Sequence, residues 1–380
     1  MAFMTILILC LAMMYIIAIL FLLRGLDKLE PITGNPDQPR VTVIVAARNE
    51  KDTIAECIDS LLHQTYPPEK TEIIIIDDHS DDGTTAIIAD YARQHPVIRM
   101  ISPLPLQHGI SPKKQAVQAG IARSSGEWIL TTDADCTVPP DWIANMMDAT
   151  GPRTAFLASW LEVTPNGRLL GRLESLESLA LVLIGAAAFG LKKPVIANAA
   201  NMAYRRDVYD AVGGFSGGEH LGSGDDDLLM QKIAAHDGYD LRFVPKTSNR
   251  VKTPANHDFA GFLRQRVRWA SKSSVYSPRL VMLLLVVVVF YLLALPGFIL
   301  TVCGILPGIA WLLLPIKLLC DGLFMYKGCR MLERKLDLKD FLLTELLQLC
   351  YLPVVAVAGK LGRFQWKGRR YRQGVLQQTV

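Results

Sequence analysis

The sequence divides into uncharged apolar segments and one long charged region, and this division limits the folds open to the chain. Ala2 to Leu23 is a run of 22 residues without a charged side chain. Leu280 to Ile316 is a second such run, of 37 residues. About 20 apolar residues suffice to cross a bilayer as a helix. The first run therefore predicts one membrane helix. The second run, whose apolar character continues to Tyr326, predicts a hairpin of two.

The composition supports a membrane protein with a large folded domain. Hydrophobic residues make up 51% of the chain and charged residues 20%, which excludes a disordered chain. Residues 280–380 contain 12 Lys and Arg against 5 Asp and Glu, whereas residues 24–279 contain 28 against 31. Positive charge beside apolar segments favours anionic membrane lipids as partners. The middle region has no basic, aromatic-interleaved stripe, so no nucleic-acid partner is predicted.

Charge placement also predicts the topology. The basic residues between 327 and 339 favour the cytoplasmic side. Counting back through two spans places the charged region in the cytoplasm too, on a multi-pass protein of the inner membrane. The predicted parts are an N-terminal helix (1–23), a cytoplasmic domain (24–279), a membrane hairpin (280–326) and a basic C-terminal region (327–380).

The C-terminal region contains a further apolar segment, 341–358. It is predicted to be either a re-entrant helix or a fourth membrane helix, because Glu345, Gln348 and Pro353 interrupt it. The basic tail behind it favours the cytoplasmic side, with its cations on lipid phosphates.

Strand-like and helix-like segments alternate within 24–279. Near-continuous apolar strands at 40–46, 72–77, 98–101 and 127–132 are separated by helical patterns. This alternation indicates an α/β domain with a mostly parallel, doubly wound sheet. The helical patterns between those strands are 53–63, 84–94 and 113–123.

Polar side chains follow three of these strands. Glu50 follows the first strand, Asp78 the second, and Asp133 and Asp135 the fourth. Ligands of doubly wound sheets bind at the carboxyl ends of the strands, so these acids are expected at one crevice. Each alone could also be a helix N-cap. Two carboxylates in the Asp-x-Asp arrangement can hold Mg²⁺ or Mn²⁺ together with phosphate oxygens. The chain lacks GxGxxG after the first strand and GxxxxGK[ST], which argues against a dehydrogenase and a P-loop NTPase.

In this order and spacing, the motifs resemble the family 2 glycosyltransferases, which have the GT-A fold for nucleotide-diphospho-sugar transfer. The resemblance covers about 230 residues. It rests on VIVAARNE (43–50), IIIIDDHSDDGT (73–84), KKQAVQAG (113–120), LTTDADC (130–136), NAANMAYRRDVYDAVGGF (198–215), GDDDLLMQKIAAHDGYDLRFVP (224–245) and RQRVRW (264–269). The last of these fits the QxxRW pattern typical of polysaccharide synthases and ceramide glucosyltransferases.

The resemblance implies roles for particular residues. A nucleotide sugar, expected to be a UDP-sugar, would lie against Ala46, Glu50, Asp78, Lys113, Asp133 and Arg268. Asp135, with Asp133, would bind the metal. Asn201, Gln265 and Trp269 would belong to the acceptor pocket.

The resemblance also implies that the catalytic base lies in the acidic run that opens a helix after Gly224. Counting back from Gly238 favours Asp227, while Asp225 and Asp226 stay open because three successive acids blur the register. At least one of the three is expected to cap that helix.

These features predict an inverting, metal-dependent glycosyltransferase anchored in the membrane, acting on a lipid, lipid-linked or glycan acceptor. A processive polysaccharide synthase is the first alternative, although four apolar segments are few for a channel. A membrane-tethered module that binds a nucleotide sugar without turnover is the second. Arg264 and Arg266, which alternate with the QxxRW residues, are expected to contact lipid phosphate.

Overall fold

A seven-stranded mixed sheet forms the centre of the protein, in the order β3-β2-β1-β4-β7-β5-β8. The computed structural model describes residues 2–32, 34–35, 37–102, 105–272, 287–290, 293, 296–305, 308–361, 363–372 and 374–379. The strands are β1 (Val41–Ala47), β2 (Thr71–Asp77), β3 (Ile98–Ile101), β4 (Trp128–Thr131), β5 (Thr154–Ser159), β6 (Leu161–Thr164), β7 (Met202–Arg205), β8 (Asp240–Val244), β9 (Val251–Pro254), β10 (Arg363–Trp366), β11 (Arg369–Arg372) and β12 (Val375–Thr379).

Strand direction within the sheet agrees with the predicted α/β domain. Strand β1 pairs in parallel with β2 and β4, and β2 with β3, whereas β7 runs antiparallel to both β4 and β5. The labelled α-helices are α1 (Ala2–Asp27), α2 (Ile54–Leu62), α3 (Thr84–Gln94), α4 (Pro112–Arg123), α5 (Trp142–Asp148), α6 (Leu169–Gly190), α7 (Arg206–Ala211), α8 (Asp227–Ala234), α9 (Phe259–Ala270), α10 (Leu313–Met331) and α11 (Leu338–Leu361). Further described residues, 287–290, 293 and 296–302, are also helical.

Both faces of the sheet are buried, and for this reason its strands are apolar at nearly every position. In β1, Val43 and Val45 pack into the hydrophobic cluster on one face, and Ile44 packs into the cluster on the other. The second face lies towards α1 and α6, which share its cluster. The ends of β1, β2 and β4, where the polar side chains follow, are thereby fixed at one edge.

Three described helices are long and apolar enough to cross a membrane, judged by length and composition alone: Thr5–Asp27, Leu169–Gly190 and Leu338–Lys360. The first is the predicted N-terminal span. The second lies mostly inside the protein. The third is a single helix that continues through Pro353, and it is longer than the predicted segment 341–358.

The predicted membrane hairpin is described only in part. Residues 273–286, 291, 292, 294 and 295 of the first predicted span and its approach lie outside the described residues. The second predicted span, 306–326, corresponds to a 3₁₀ helix at Gly308–Leu312 followed by α10.

A polar cluster connects α1, α10 and α11. Lys317 of α10 contacts Asp321 one turn away at 2.8 Å and also Glu345 of α11. Tyr15 of α1 donates a hydrogen bond to Asp321 at 2.6 Å. Because the ammonium group is fully buried, the two carboxylates are needed to compensate its charge.

Helices α1 and α6 meet at two glycines. A Cβ atom on Gly25 would overlap the backbone oxygen of Ala187, and one on Gly190 would overlap the backbone oxygen of Gly25. Only glycine therefore permits this helix separation.

We expect Gly25→Ala to destabilise the protein by about 1–3 kcal/mol, the usual effect of overpacking. Without the obstruction the same change would stabilise a helix by roughly 0.5–1 kcal/mol. Gly322→Ala in α10 is the matched control, because its nearest neighbour would lie 3.6 Å away. The measurement is the melting temperature in detergent, and equal shifts for the two variants would contradict the close contact.

Candidate active site

A cavity of about 720 Å³ opens at the carboxyl ends of β1, β2 and β4. It brings together most of the predicted site residues, which come from distant parts of the chain. Those lining it are Ala46, Glu50, Asp78, Lys113, Asp133, Asp135, Asp225, Asp226, Asp227, Gln265, Arg268 and Trp269.

Asp133 and Asp135 provide a candidate metal site. One oxygen of each carboxylate and the Cys136 sulfur all lie within 4.8 Å of one another. Burial, and then the neighbouring Asp133, raise the pKa of Asp135. Hard divalent cations prefer oxygen ligands, and the pKa of the buried Cys136 thiol is raised, so the two carboxylates are the fitting donors.

Lys113 lies between two of the acidic segments. Its ammonium group is 2.9 Å from Asp133 and 3.1 Å from Asp225. Burial alone would raise the pKa of Asp225, but Lys113 and Lys114 outweigh it and lower that pKa to about 2. Asp225 is therefore held as an anion in an ion pair.

The two following acids lie at the start of α8. Asp226 is the N-cap, and its Oδ1 accepts a hydrogen bond from the backbone N–H of Asp227 at 2.7 Å. Asp227 is enclosed: one oxygen accepts from the N–H of Ala197 at 2.9 Å, and the other lies 2.6 Å from Lys272. Burial, and then Asp226, raise the pKa of Asp227.

The predicted nucleotide residues are already engaged by the C-terminal region. Asp78 forms a bidentate ion pair with Arg369, in which Nη2 of Arg369 lies 2.8 Å from Oδ1 of Asp78. Glu50 lies 2.9 Å from Lys367. Burial raises the pKa of Glu50 to about 7, although Lys367 opposes the shift.

The QxxRW segment lies on α9 and faces the cavity with Gln265, Arg268 and Trp269. The guanidinium of Arg268 packs over the ring of Trp366, with 4.8 Å to the ring centroid. Its Nε is buried and has no hydrogen-bond partner among the described residues. This donor is available to an anionic ligand.

The structure corrects the expectation that Arg266 contacts lipid. Arg266 is only 4% exposed, and its Nε lies 3.0 Å from a carboxylate oxygen of Glu177 of α6, with which it forms an ion pair. The guanidinium also lies close to Glu174. Tyr351 of α11 donates to the same Glu177. Arg266 therefore joins α9 to α6 and, through Glu177, to α11. Arg264, in contrast, is exposed.

The expectation that Asn201 belongs to the acceptor pocket is wrong. Its side chain is fully buried, accepts a hydrogen bond from the indole N–H of Trp142 at 2.8 Å, and donates to the backbone oxygens of Trp160 and Asn249. These three internal bonds use its amide group, so its role is to hold β7 to its neighbours.

Several residues that line the cavity or hold its loops were missed from the sequence. Lys114 holds the loop before Asp225, donating to the backbone oxygens of Gly218 and Ser223. Lys272, three residues after Trp269, pairs with Asp226 and Asp227. The third group is the tail: β10, β11 and β12 form an antiparallel sheet, and Gln365, Trp366 and Lys367 line the cavity. A Lys-Gly pair between alternating aromatic residues is the signal that could have indicated its hairpin.

Two family models match the chain. The model for glycosyl transferase family 2 matches residues 42–213, and that for glycosyl transferase family group 2 matches residues 128–325, more than half of the chain. This chain belongs to the family 2 glycosyltransferases. The predicted family and the predicted α/β fold are thereby confirmed.

Individual relatives agree with this assignment. The chain is 28% identical to glycosyltransferase AglE of Haloferax volcanii, over 54% of this chain and 64% of that protein. It is 24% identical to the poly-beta-1,6-N-acetyl-D-glucosamine synthase of Staphylococcus epidermidis, over 60% of this chain and 53% of that protein. The chain thus spans between half and two thirds of the length of these relatives.

A solved structure supports the fold across nearly the whole chain. The mannosyltransferase PcManGT from Pyrobaculum calidifontis, in complex with GDP-Man and Mn²⁺, aligns with a TM-score of 0.55 and 20% identity. The alignment covers 94% of this chain and 98% of that one.

We expect Arg266→Leu to destabilise the family 2 fold strongly, because Glu177 and Glu174 would be left buried without their cation. Breaking such a pair typically costs about 3–5 kcal/mol. Arg264→Leu removes an exposed cation of the same helix and is the matched control. Melting temperatures in detergent test this. If Arg266→Leu instead keeps its stability but binds anionic vesicles much more weakly, the result would support the lipid contact.

Proposed function

We propose that the protein transfers a sugar from a nucleotide sugar to a hydroxyl group of a lipid or lipid-linked acceptor at the membrane, with inversion at C1. The supporting observation is that a single cavity contains a metal-type carboxylate pair, a further carboxylate cluster and an Arg268 donor without a hydrogen-bond partner among the described residues. Helix α6 adds an apolar wall to this cavity. The catalytic domain, 24–279, is proposed to face the cytoplasm.

The donor is proposed to lie across the ends of β1, β2 and β4. Asp133 and Asp135 fit Mg²⁺ or Mn²⁺, which would neutralise part of the charge of the donor diphosphate. Arg268 and Lys113 supply fixed positive charge on the same side of the cavity. UDP is the nucleotide expected from the sequence, and GDP is tested beside it because the structurally similar mannosyltransferase binds GDP-Man.

Asp226 is proposed as the catalytic base in place of Asp227, the residue favoured from the sequence. The side chain of Asp226 is 16% exposed towards the cavity, against 3% for Asp227. Both described contacts of Asp226 use Oδ1. Its other oxygen is therefore available for the acceptor hydroxyl, whereas both oxygens of Asp227 are occupied.

The chemistry then requires one displacement. Asp226 accepts the proton of the acceptor hydroxyl while that oxygen forms a bond to C1 of the sugar and the bond from C1 to the diphosphate breaks. Arg268 stabilises the negative charge on the departing diphosphate. Lys272 keeps the Asp226 and Asp227 carboxylates together at the start of α8.

The apolar wall supports a lipid acceptor. Leu181, Val182 and Gly185 of α6 line the cavity together with Ile196. Helix α6 is also one of the three candidate membrane helices. A processive synthase is the second candidate, because one relative is a polysaccharide synthase. The length of the product on a chromatogram separates the two.

The purified full chain should release UDP or GDP from a nucleotide sugar when membrane lipid extract is added with Mn²⁺ or Mg²⁺. EDTA should abolish release because it removes the cation from the carboxylate pair. Asp135→Ala should do the same because it removes one of the two carboxylates that would bind the cation. Asp52→Ala, which alters an acid at the rim of the same cavity, is the control and should remain active. Full activity in EDTA would exclude the metal role, and release without any lipid product would exclude the acceptor class.

Asp226→Asn should lower turnover by roughly 10²-fold or more, the scale of general-base catalysis, while donor affinity stays nearly unchanged. Asp227→Asn should act mainly on stability, because its carboxylate neutralises the buried Lys272. Turnover numbers and melting temperatures are measured for both. A larger turnover loss for Asp227→Asn at wild-type stability would return the base to Asp227.

A further inference from the structure

The last strands of the chain reach the donor cavity from a region that the family models do not match. Strands β10 and β11, residues 363–372, are called the C-terminal hairpin here, and they lie beyond residue 325, where the matched region ends. Lys367 and Gly368 form its turn with φ of 48° and 71°, the left-handed conformations that a two-residue type I′ turn requires. The turn brings Gln365, Trp366 and Lys367 to the cavity wall.

Arg369 fixes the hairpin in place. Its guanidinium is fully buried and binds both carboxylate oxygens of Asp78 at the end of β2. Arg48, after β1, donates to the backbone oxygen of Lys367 at 2.9 Å. Behind these contacts, the backbone N–H of Gly222 donates to the oxygen of Gly374 at 2.7 Å. The turn is thus anchored to β1, β2 and the loop that precedes the catalytic acids.

Lys367 extends from this anchored turn into the cavity. Its ammonium group donates to the backbone oxygen of Asn49 at 3.1 Å and lies 2.9 Å from Glu50. An ammonium group has three N–H donors, so these contacts leave one for a ligand. Its side chain is 28% exposed, which agrees with an accessible donor.

Trp366 connects the hairpin to the QxxRW helix by packing against the guanidinium of Arg268. Three hairpin residues therefore contact three residues expected to bind the donor: Trp366 contacts Arg268, Lys367 contacts Glu50, and Arg369 contacts Asp78. The Nε donors of Arg268 and Arg369 have no hydrogen-bond partner among the described residues, but Arg369 is fully buried. Lys367 and Arg268 are the two cations of this set that line the cavity.

We propose that the C-terminal hairpin is part of the donor site and that Lys367 binds the diphosphate of the nucleotide sugar. The proposal rests on the proposed function in one respect, that the donor is a nucleoside diphosphate sugar. The hairpin holds Lys367 over the metal-side carboxylates, so that the ammonium group and Arg268 contact the same anionic group.

The test measures the binding of UDP and GDP to the full chain in detergent with Mn²⁺. Lys367→Met keeps the length of the side chain but removes its charge, and it should raise the Kd of the bound nucleotide about tenfold, as expected for one charge-assisted hydrogen bond. Arg370→Met removes an exposed cation of the same hairpin and should leave the Kd unchanged. Lys367→Arg should recover most of the affinity.

Binding of uridine and guanosine, which lack phosphate, distinguishes the loss of a phosphate contact from a change in the shape of the pocket. Their affinities, measured by competition against the diphosphate, should not change in Lys367→Met. Equal losses for nucleoside and diphosphate would overturn the assignment, as would a wild-type Kd in Lys367→Met. If the wild-type chain binds neither UDP nor GDP, the proposed function itself fails. A melting temperature for each variant shows that the hairpin remains folded.

Discussion

The arrangement of this protein depends on the neutralisation of acids that the α/β sheet gathers at one edge. The ends of β2 and β4 and the start of α8 bring Asp78, Asp133 and Asp225 into one cavity. Like charges so placed repel one another unless cations accompany them. Lys113 from α4 lies between Asp133 and Asp225, and Arg369 from the far end of the chain pairs with Asp78. Segments distant in sequence are thereby held together by the chemistry of the site.

Helix α9 connects the cavity to the apolar helices through two neighbouring positions. Arg268 faces the cavity and Trp366, while Arg266, two residues earlier, is buried against Glu177 of α6. Alternate residues of a helix point in different directions, so one short segment serves both surroundings. The same α6 also lines the apolar side of the cavity with Leu181 and Val182. A displacement of α6 would therefore reach both the apolar wall of the cavity and the QxxRW helix.

Much of the fold was predictable because it depends on local pattern. The apolar runs that became β1 and β2, and the acids that follow β2 and β4, were located within a residue or two. The prediction failed where long-range contacts decide. Arg266 was expected on lipid because its partner Glu177 is 89 residues away in the sequence. Asn201 was expected in the pocket from the family resemblance, because the sequence does not show the three hydrogen bonds that hold it inside the domain. To decide which of Asp225–Asp227 caps the helix, one must know the residue at which α8 begins, and only the structure provides it.

The position of the C-terminal hairpin has a consequence for how the molecule is assembled. A ribosome makes the acids at the ends of β2 and β4 long before it makes Arg369 and Lys367, and α11 must be completed in between. During synthesis the acidic edge of the sheet therefore exists without two of its cations. The cavity reaches its final electrostatic state only when the last strands pair, after α11 has been synthesised.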